Sequence, residues 1–223
     1  MLRSALALLS AGLLSAMVVT GCGVRVDDGP SVSQTRAVAP FERISVHGST
    51  DVDVRLGQRA SVVVRGGKDT VDEVRTDVRD GTLVIERDDR DTLTLDGQRL
   101  RVEVVVPRLA SGEVDGSGDL DVDLGAEPLE ALELSIQGSG DVTASGRVRK
   151  LQAAVNGSGD LHLDDLRAAD AAVSIEGSGD ADVRVDRALR ATIAGSGDIA
   201  YAGDPQIRSD VEGSGDLSRI DRR

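Results

Sequence analysis

The sequence Val-Asp-Gly-Ser-Gly-Asp-Leu-Asp-Val at residues 114–122 contains the tetrapeptide that decides the fold. Gly-Ser-Gly-Asp occurs six times in the chain, at intervals of 22, 19, 20, 18 and 18 residues. The copies begin at Gly116, Gly138, Gly157, Gly177, Gly195 and Gly213. A repeat with a period of about 20 residues is typical of solenoid proteins, in which each repeat forms one coil. The repeat therefore predicts a stack of coils rather than a compact catalytic domain.

Apolar and variable side chains alternate on both sides of each tetrapeptide. Alternation with a period of two predicts β-strands rather than helices. The predicted fold class is all-β, a parallel β-helix or β-solenoid with coils of about 18–22 residues, whose equivalent side chains stack into columns. The apolar positions are Val114, Ile136, Val155, Ile175, Ile193 and Val211 before the tetrapeptide and Leu120, Val142, Leu161, Ala181, Ile199 and Leu217 after it.

The first half of the chain is less regular, but it also reads as β-structure. Residues 71–78 fit either a short helix or a further strand. The sequence His-Gly-Ser-Thr-Asp-Val at residues 47–52 is similar to the later repeat, so we expect the solenoid to begin near residue 42 and its domain to occupy residues 40–223. Runs rich in valine and isoleucine predict strands at residues 44–46, 52–56, 62–64, 83–85 and 102–106.

The N-terminus has the features of a bacterial export signal. Arg3 precedes an apolar run from Ala5 to Val19, and small residues follow that run. A short basic start, an apolar stretch and a small-residue cleavage site are typical of a secretory signal peptide. The run is shorter than the roughly 20 residues that a helix needs to cross a bilayer. We therefore predict a signal peptide at residues 1–21.

The only cysteine of the chain stands where a lipid anchor requires it. The sequence Val-Thr-Gly-Cys at residues 19–22 resembles the lipobox of bacterial lipoproteins, whose cysteine receives the lipid and becomes the mature N-terminus. An ordinary signal peptide that leaves Cys22 unmodified is the alternative. Residues 22–39 are poor in large apolar groups, so we predict a lipidated cysteine followed by a flexible tether. An aspartate after the cysteine would resemble an inner-membrane retention signal, and Gly23 stands there instead. We expect an exported, lipid-anchored cell-envelope protein, on the outer membrane if the organism has one.

Charge and aromatic content limit the classes of partner. The formal net charge is −13, which disfavours nucleic acid and bare anionic lipid surfaces. Phe41 and Tyr201 are the only aromatic residues, so a sugar ring or a base finds little to stack on. We expect membrane contact through the lipid, binding to an envelope protein or surface polymer, and no nucleic acid. Because the tail at residues 220–223 is charged, it predicts a monomer.

Several motifs together resemble the bacterial family called putative auto-transporter adhesin, head GIN domain. They are Phe-Glu-Arg-Ile-Ser-Val at 41–46, Asp-Gly-Thr-Leu-Val-Ile at 80–85, Val-Glu-Val-Val-Val-Pro at 102–107, the Gly-Ser-Gly-Asp series and Tyr-Ala-Gly-Asp-Pro at 201–205. The resemblance runs from about residue 41 to residue 220. It implies a right-handed parallel β-helix, often attached to a lipoprotein signal. The family name implies adhesion, and the resemblance implies no catalytic residue.

The repeat places an aspartate and two glycines at equivalent positions of every coil. In stacked coils the aspartates form a column with like charges about 5 Å apart, which repel one another. Backbone N–H donors at the corner offset this repulsion in the interpretation that we favour, and bound calcium does so in the alternative, since calcium prefers oxygen ligands. We expect no other cofactor. The aspartates are Asp119, Asp141, Asp160, Asp180, Asp198 and Asp216. The glycines, which permit a positive φ or a close backbone approach, are Gly116, Gly118, Gly138, Gly140, Gly157, Gly159, Gly177, Gly179, Gly195, Gly197, Gly213 and Gly215.

The sequence supports a non-enzymatic function. We predict an adhesion, binding or structural module of the cell envelope, and the alternative is a carbohydrate-active enzyme of the β-helix type, a polysaccharide lyase or hydrolase. Glycosidases need two carboxylates at a defined separation. Because the chain has 39 acidic residues, some pair will lie at that separation by chance, so such a pair does not indicate an enzyme. His47 and His162 lie far apart in the sequence and are expected to be surface histidines.

Overall fold

The computed structural model describes residues 31–87 and 100–220, which form sixteen strands of one sheet and a single short helix. Residues 1–21 and Cys22, predicted as signal peptide and lipid attachment site, lie outside the described residues. Within the described ranges no helix is both long enough and apolar enough to cross a membrane. The elements are β1 (Ser31–Arg36), β2 (Arg43–Gly48), β3 (Asp51–Leu56), β4 (Ser61–Gly67), α1 (Lys68–Glu73), β5 (Val74–Arg79), β6 (Thr82–Arg87), β7 (Arg101–Val106), β8 (Ser111–Gly116), β9 (Leu120–Asp123), β10 (Leu129–Gly138), β11 (Val142–Gly157), β12 (Leu161–Gly177), β13 (Ala181–Gly195), β14 (Ile199–Ala202), β15 (Gln206–Gly213) and β16 (Leu217–Arg219).

The predicted β-solenoid is confirmed. The strands that lead into each corner pair in parallel in the order β2, β8, β10, β11, β12, β13 and β15. The strands that leave the corner pair in the order β3, β9, β11, β12, β13, β14 and β16, so β11, β12 and β13 each run from one corner to the next. The register aligns the first glycine of every tetrapeptide, from Gly116 with Gly138 to Gly195 with Gly213. Identical positions therefore stack into columns.

The core consists of the inward columns. In the column before the corner, Val114, Ile136 and Ile175 are 0 % exposed, and in the column after it, Leu120, Val142 and Leu161 are also 0 % exposed. Burial of one such side chain stabilises the fold by about 1.5–3 kcal/mol. Since each coil covers the apolar side chains of the next, the interior extends along the whole stack.

The N-terminal part departs from simple stacking in chain order. The coil of β2 and β3 lies between the coil of β8 and β9 on one side and strands β6 and β7 on the other. Strand β4 runs antiparallel to β7, and β5 runs antiparallel to β6. The chain therefore turns back after its first coil and covers that end of the stack. The structure confirms all of the strands predicted in this part, at residues 44–46, 52–56, 62–64, 83–85 and 102–106.

The stretch that sequence reasoning left undecided forms both candidate structures. Helix α1 ends at Glu73 and β5 begins at Val74, inside residues 71–78. Residues 31–36, which fall within the segment predicted as a tether, form β1 against β4. The Arg36 guanidinium Nη2 donates to the carbonyl of Val71 at 2.8 Å and to that of Val74 at 3.2 Å. These hydrogen bonds satisfy carbonyls at the end of the helix and hold β1 over the N-terminal end.

The corner leaves no room for a side chain between coils. Gly157 has a φ of +141°, and a Cβ built on it would lie 2.1 Å from the carbonyl oxygen of Gly138 in the coil below. A Cβ on Gly159 would lie 2.0 Å from the oxygen of Gly140. The other repeat glycines show the same approach. The backbone of one coil therefore packs directly on the backbone of the next.

This packing predicts that Gly159→Ala lowers the free energy of unfolding by about 2–4 kcal/mol, because the methyl group forces two backbones apart. Gly48→Ala is the matched control, since Gly48 has a φ of +90° and nothing lies within 4 Å of its added Cβ. It carries only the backbone strain, about 1–2 kcal/mol. Urea unfolding followed by circular dichroism measures both. A loss of less than about 1 kcal/mol for Gly159→Ala would contradict the close approach of the coils, because the added methyl group would then have met no backbone.

Candidate functional site

The repeat aspartates form a hydrogen-bonded ladder beside the corner. The backbone N–H of each aspartate donates to the carboxylate Oδ1 of the aspartate one coil below. The N···O distances are 3.1 Å from Asp141 to Asp119, 2.9 Å from Asp160 to Asp141, and 2.7 Å for Asp180 to Asp160, Asp198 to Asp180 and Asp216 to Asp198. Asp51, in the degenerate first copy, accepts the N–H of Asp119 at 3.4 Å.

This ladder gives the carboxylates a structural use. A carboxylate that accepts a backbone N–H makes a charge-assisted hydrogen bond, which offsets part of the repulsion between neighbouring charges in the column. In the described parts of the chain, no group of three or more His, Cys, Asp or Glu side chains is arranged to hold a metal ion. Calcium binding by the column stays a prediction.

We expect Asp160→Ala to lower the free energy of unfolding by about 1.5–3 kcal/mol, because it removes the acceptor of a charge-assisted hydrogen bond. Asp160→Asn is the matched control, since its amide oxygen still accepts the N–H of Asp180 and it also removes one charge from the column. It retains most of the stability, as measured by urea unfolding. If Asp160→Asn lowers the free energy of unfolding as much as Asp160→Ala does, the hydrogen bond from the Asp180 N–H is not the source of the stability that the carboxylate contributes. Titration calorimetry with calcium on both variants and the wild type tests the cation alternative.

Acidic side chains continue on the outer surface of the strands that leave the corner. Asp53 and Asp121 are neighbours in register on β3 and β9. Burial is the main cause that raises the pKa of Asp53, with repulsion from Asp121 adding to it and the ion pair with Arg101, 2.9 Å away, opposing it. A hydrogen bond from Arg65 at 2.7 Å lowers the pKa of Glu103. The surface therefore concentrates negative charge that its arginines neutralise only in part.

The two histidines lie on outward positions and do not meet. The His47 ring contacts two neighbours, Asp115 through Nδ1 at 3.3 Å and the Ser45 hydroxyl through Nε2 at 3.1 Å. His162 is exposed on β12. They belong to different coils of different strand columns, so they form no common site.

An open cleft lies on the N-terminal half of the solenoid. Its volume is about 640 Å³, within the range of about 300–1,000 Å³ that is usual for small-molecule sites. Its walls come from the segment before β2, the β3–β4 and β5–β6 turns and the segment between β7 and β8. We call it the arginine-rimmed cleft, and its lining residues are Val38, Pro40, Phe41, Glu42, Arg43, Gln58, Arg59, Ala60, Gly81, Pro107, Arg108 and Ala110.

The arginine-rimmed cleft combines an apolar lining with positive charge. Three arginines face one glutamate in it, and Arg108 lies 4.0 Å from Glu42. Arg43 is held in place because its Nε donates to the Thr82 hydroxyl at 3.0 Å and its Nη2 donates to the carbonyl of Asp80. Against a net charge of −13 for the chain, this is a local reversal of sign. An anionic group beside an apolar group suits such a lining.

Sequence reasoning missed this cleft. Its walls are separated by tens of residues in the chain, and nothing in the repeat indicates that they meet. The available signal was that Phe41, the only phenylalanine, is followed closely by Arg43 in an acidic chain. That signal becomes specific only when the fold brings Arg59 and Arg108 to the same place.

Comparison with known proteins gives a family and a fold. The family described as putative auto-transporter adhesin, head GIN domain, matches residues 40–205. A solved structure of a putative adhesin from Bacteroides fragilis has 20% identity and a TM-score of 0.71, covering 86% of this chain and 97% of its own. A putative adhesin from Parabacteroides distasonis has 20% identity and a TM-score of 0.55, with coverages of 86% and 98%. A putative lipid binding protein from the same species has 21% identity and a TM-score of 0.53, with coverages of 87% and 98%. No curated protein sequence matches the chain.

Proposed function

Because the chain belongs to the family described as putative auto-transporter adhesin, head GIN domain, we propose that it is a non-enzymatic, lipid-anchored binding protein of the cell envelope with an adhesion-like role. The family name and the names of two neighbours support adhesion. The lipobox-like sequence ending at Cys22 supports the anchor. The protein is attached to the membrane by its lipid and presents the solenoid to its surroundings.

The arginine-rimmed cleft is the observation that carries the binding role. The inward columns are filled by packed aliphatic side chains, so a ligand has to bind on the outer surface. The cleft offers an apolar lining next to Arg59 and Arg108, whose guanidinium groups recognise carboxylates and phosphates with two parallel hydrogen bonds. The ligand class that fits is an anionic amphiphile, with an acyl chain on the lining and a carboxylate at the arginines.

The anchor is tested by Cys22→Ala. We expect the wild-type protein to incorporate radiolabelled palmitate and to sediment with membranes, and the variant to do neither, because lipid attachment requires the cysteine thiol. Ser33→Ala, a change on exposed β1, is the control and leaves both properties unchanged. A variant that still sediments with membranes and carries label would remove the lipid anchor from the proposal.

The cleft is tested by isothermal titration calorimetry, in which palmitate is titrated into protein that carries Cys22→Ala. Calorimetry is chosen because the chain has no tryptophan whose fluorescence could report binding. Arg59→Glu combined with Arg108→Glu is expected to weaken binding by about tenfold or more, because two charge-assisted hydrogen bonds are replaced by repulsion. Arg149→Glu, at an exposed ion pair on β11, is the control. Hexadecanol, with the same chain and no charge, is expected to bind as weakly as palmitate binds the double variant.

Equal binding of palmitate by wild type and double variant would place the ligand elsewhere. Release of new reducing ends from envelope polysaccharides by the wild type would instead identify a carbohydrate-active enzyme. The same polysaccharides captured without turnover support the adhesion-like role.

A further inference from the structure

The two ends of the stack differ in how the core is covered. At the N-terminal end, Val71 of α1 and Val74 of β5 are buried at 0 % and 2 % exposed. At the C-terminal end, Ile207 and Val211 of β15 are 39 % and 42 % exposed. Their equivalents one coil below, Leu189 and Ile193, are 1 % and 0 % exposed. The inward columns therefore reach the surface at β15.

Strand β15 also has a free edge. In the described part of the chain it pairs with β13 alone. Arg208 belongs to the same register column as Glu133, whose N–H donates to the Ala110 carbonyl of the coil below at 3.0 Å. Backbone groups alternate in direction along a strand, so the N–H and C=O groups of Ile207, Ser209 and Val211 point away from β13, to the free edge. An exposed edge of this kind is a template for another strand.

We propose that β15 pairs antiparallel with β15 of a second copy of this chain, centred on Ser209. In this register Ile207 of each copy lies opposite Val211 of the other, and Arg208 lies opposite Asp210. Gln206 lies opposite Glu212. The outward-pointing backbone groups of Ile207, Ser209 and Val211 meet their counterparts and form about six hydrogen bonds. The contact is a two-fold symmetric interface in which one surface patch pairs with itself.

The sequence of β15 selects this register over its neighbours. Sliding one strand by two residues moves the centre of the pairing to Arg208, which places Arg208 opposite Arg208 and Ile207 opposite Ser209. A shift the other way, to Asp210, places Asp210 opposite Asp210 and Ile207 opposite Gly213. Like charges directly opposite each other are destabilising, whereas opposite charges and apolar pairs each stabilise a sheet. The register centred on Ser209 joins both kinds of favourable pair and contains no like-charge pair.

A second copy is also the partner that the charge pattern fits. The edge presents Arg208 and then Asp210, Ser209 lying between them, and an antiparallel copy presents the same charges in reverse order. A partner strand that carries only positive or only negative charges places a like charge opposite either Arg208 or Asp210, which is destabilising. Within the stack, Ile207 and Val211 cover Leu189 and Ile193 of the coil below. In the dimer the same two side chains of the second copy cover Ile207 and Val211.

Charge reversal tests the interface in solution. The full chain is solubilised in a density-matched detergent, and its mass is measured by sedimentation equilibrium over a range of concentrations. We expect the wild type to reach the mass of two chains. Arg208→Asp alone and Asp210→Arg alone each raise the dissociation constant by about tenfold or more, since two favourable pairs become like-charge pairs. The double variant Arg208→Asp with Asp210→Arg recovers the wild-type constant, because the pairs are restored with their signs exchanged.

Disulfide trapping tests the register. Ser209→Cys in a Cys22→Ala background places the only thiol of each copy opposite that of the other, at a Cα separation of about 5.5 Å that suits a disulfide. We expect a covalent dimer on a non-reducing gel after mild oxidation. Ser218→Cys on exposed β16 is the control and stays monomeric.

Either of two results overturns the proposal. One is the mass of a single chain at every concentration, which supports the monomer expected from the charged tail. The other is a dimer that the single charge reversals leave unchanged, because such a dimer uses another surface. Both single variants retain the charges of every other coil, and their thermal unfolding is measured beside the wild type to establish that they are folded.

Discussion

The contact between backbones at the Gly-Ser-Gly-Asp corner is the constraint on which the rest of the solenoid depends. A glycine carbonyl in one coil occupies the space that a Cβ would need in the next, as the 2.0 Å between the oxygen of Gly140 and a Cβ built on Gly159 shows. This approach brings the strands on both sides of the corner into hydrogen-bonding distance. Inward aliphatic columns can then cover one another, and the aspartate of each coil can accept the N–H of the next. Two glycines and one aspartate per coil therefore set the geometry of everything that stacks.

A structure built in this way has to solve the problem of its ends, because each coil is covered only by its neighbours. The N-terminal end is covered by the chain itself, which turns back after the first coil and lays α1 and antiparallel strands over it. Arg36 holds that cover in place through two carbonyls. At the other end Ile207 and Val211 stay partly exposed. The asymmetry places the irregular, loop-rich part of the molecule at one end and an open strand edge at the other.

In the described coils the inward side chains are aliphatic and packed against one another, whereas the charged side chains lie on the outer surface. Regular coils give columns in which one residue type recurs, as the aspartate ladder from Asp119 to Asp216 shows. The irregular N-terminal end instead gathers side chains of different kinds, and this is where arginines line an apolar cleft. The cleft at the irregular end and the regular stacking in the rest are two consequences of one topology.

The amino-acid sequence alone determined the repeat architecture, because the spacing of a glycine-rich tetrapeptide and the alternation around it admit only stacked strands. Residues 155–161, for example, predict both the corner and the inward Val155 and Leu161, and both are nearly fully buried. Only the tertiary structure decided how the first coil is inserted between two later pieces of chain, and that residues 71–78 divide between helix and strand. It alone brought Arg43, Arg59 and Arg108 to one cleft. The physical reason is that local periodicity is written in neighbouring residues, whereas the covering of an open end depends on contacts between segments far apart in the chain.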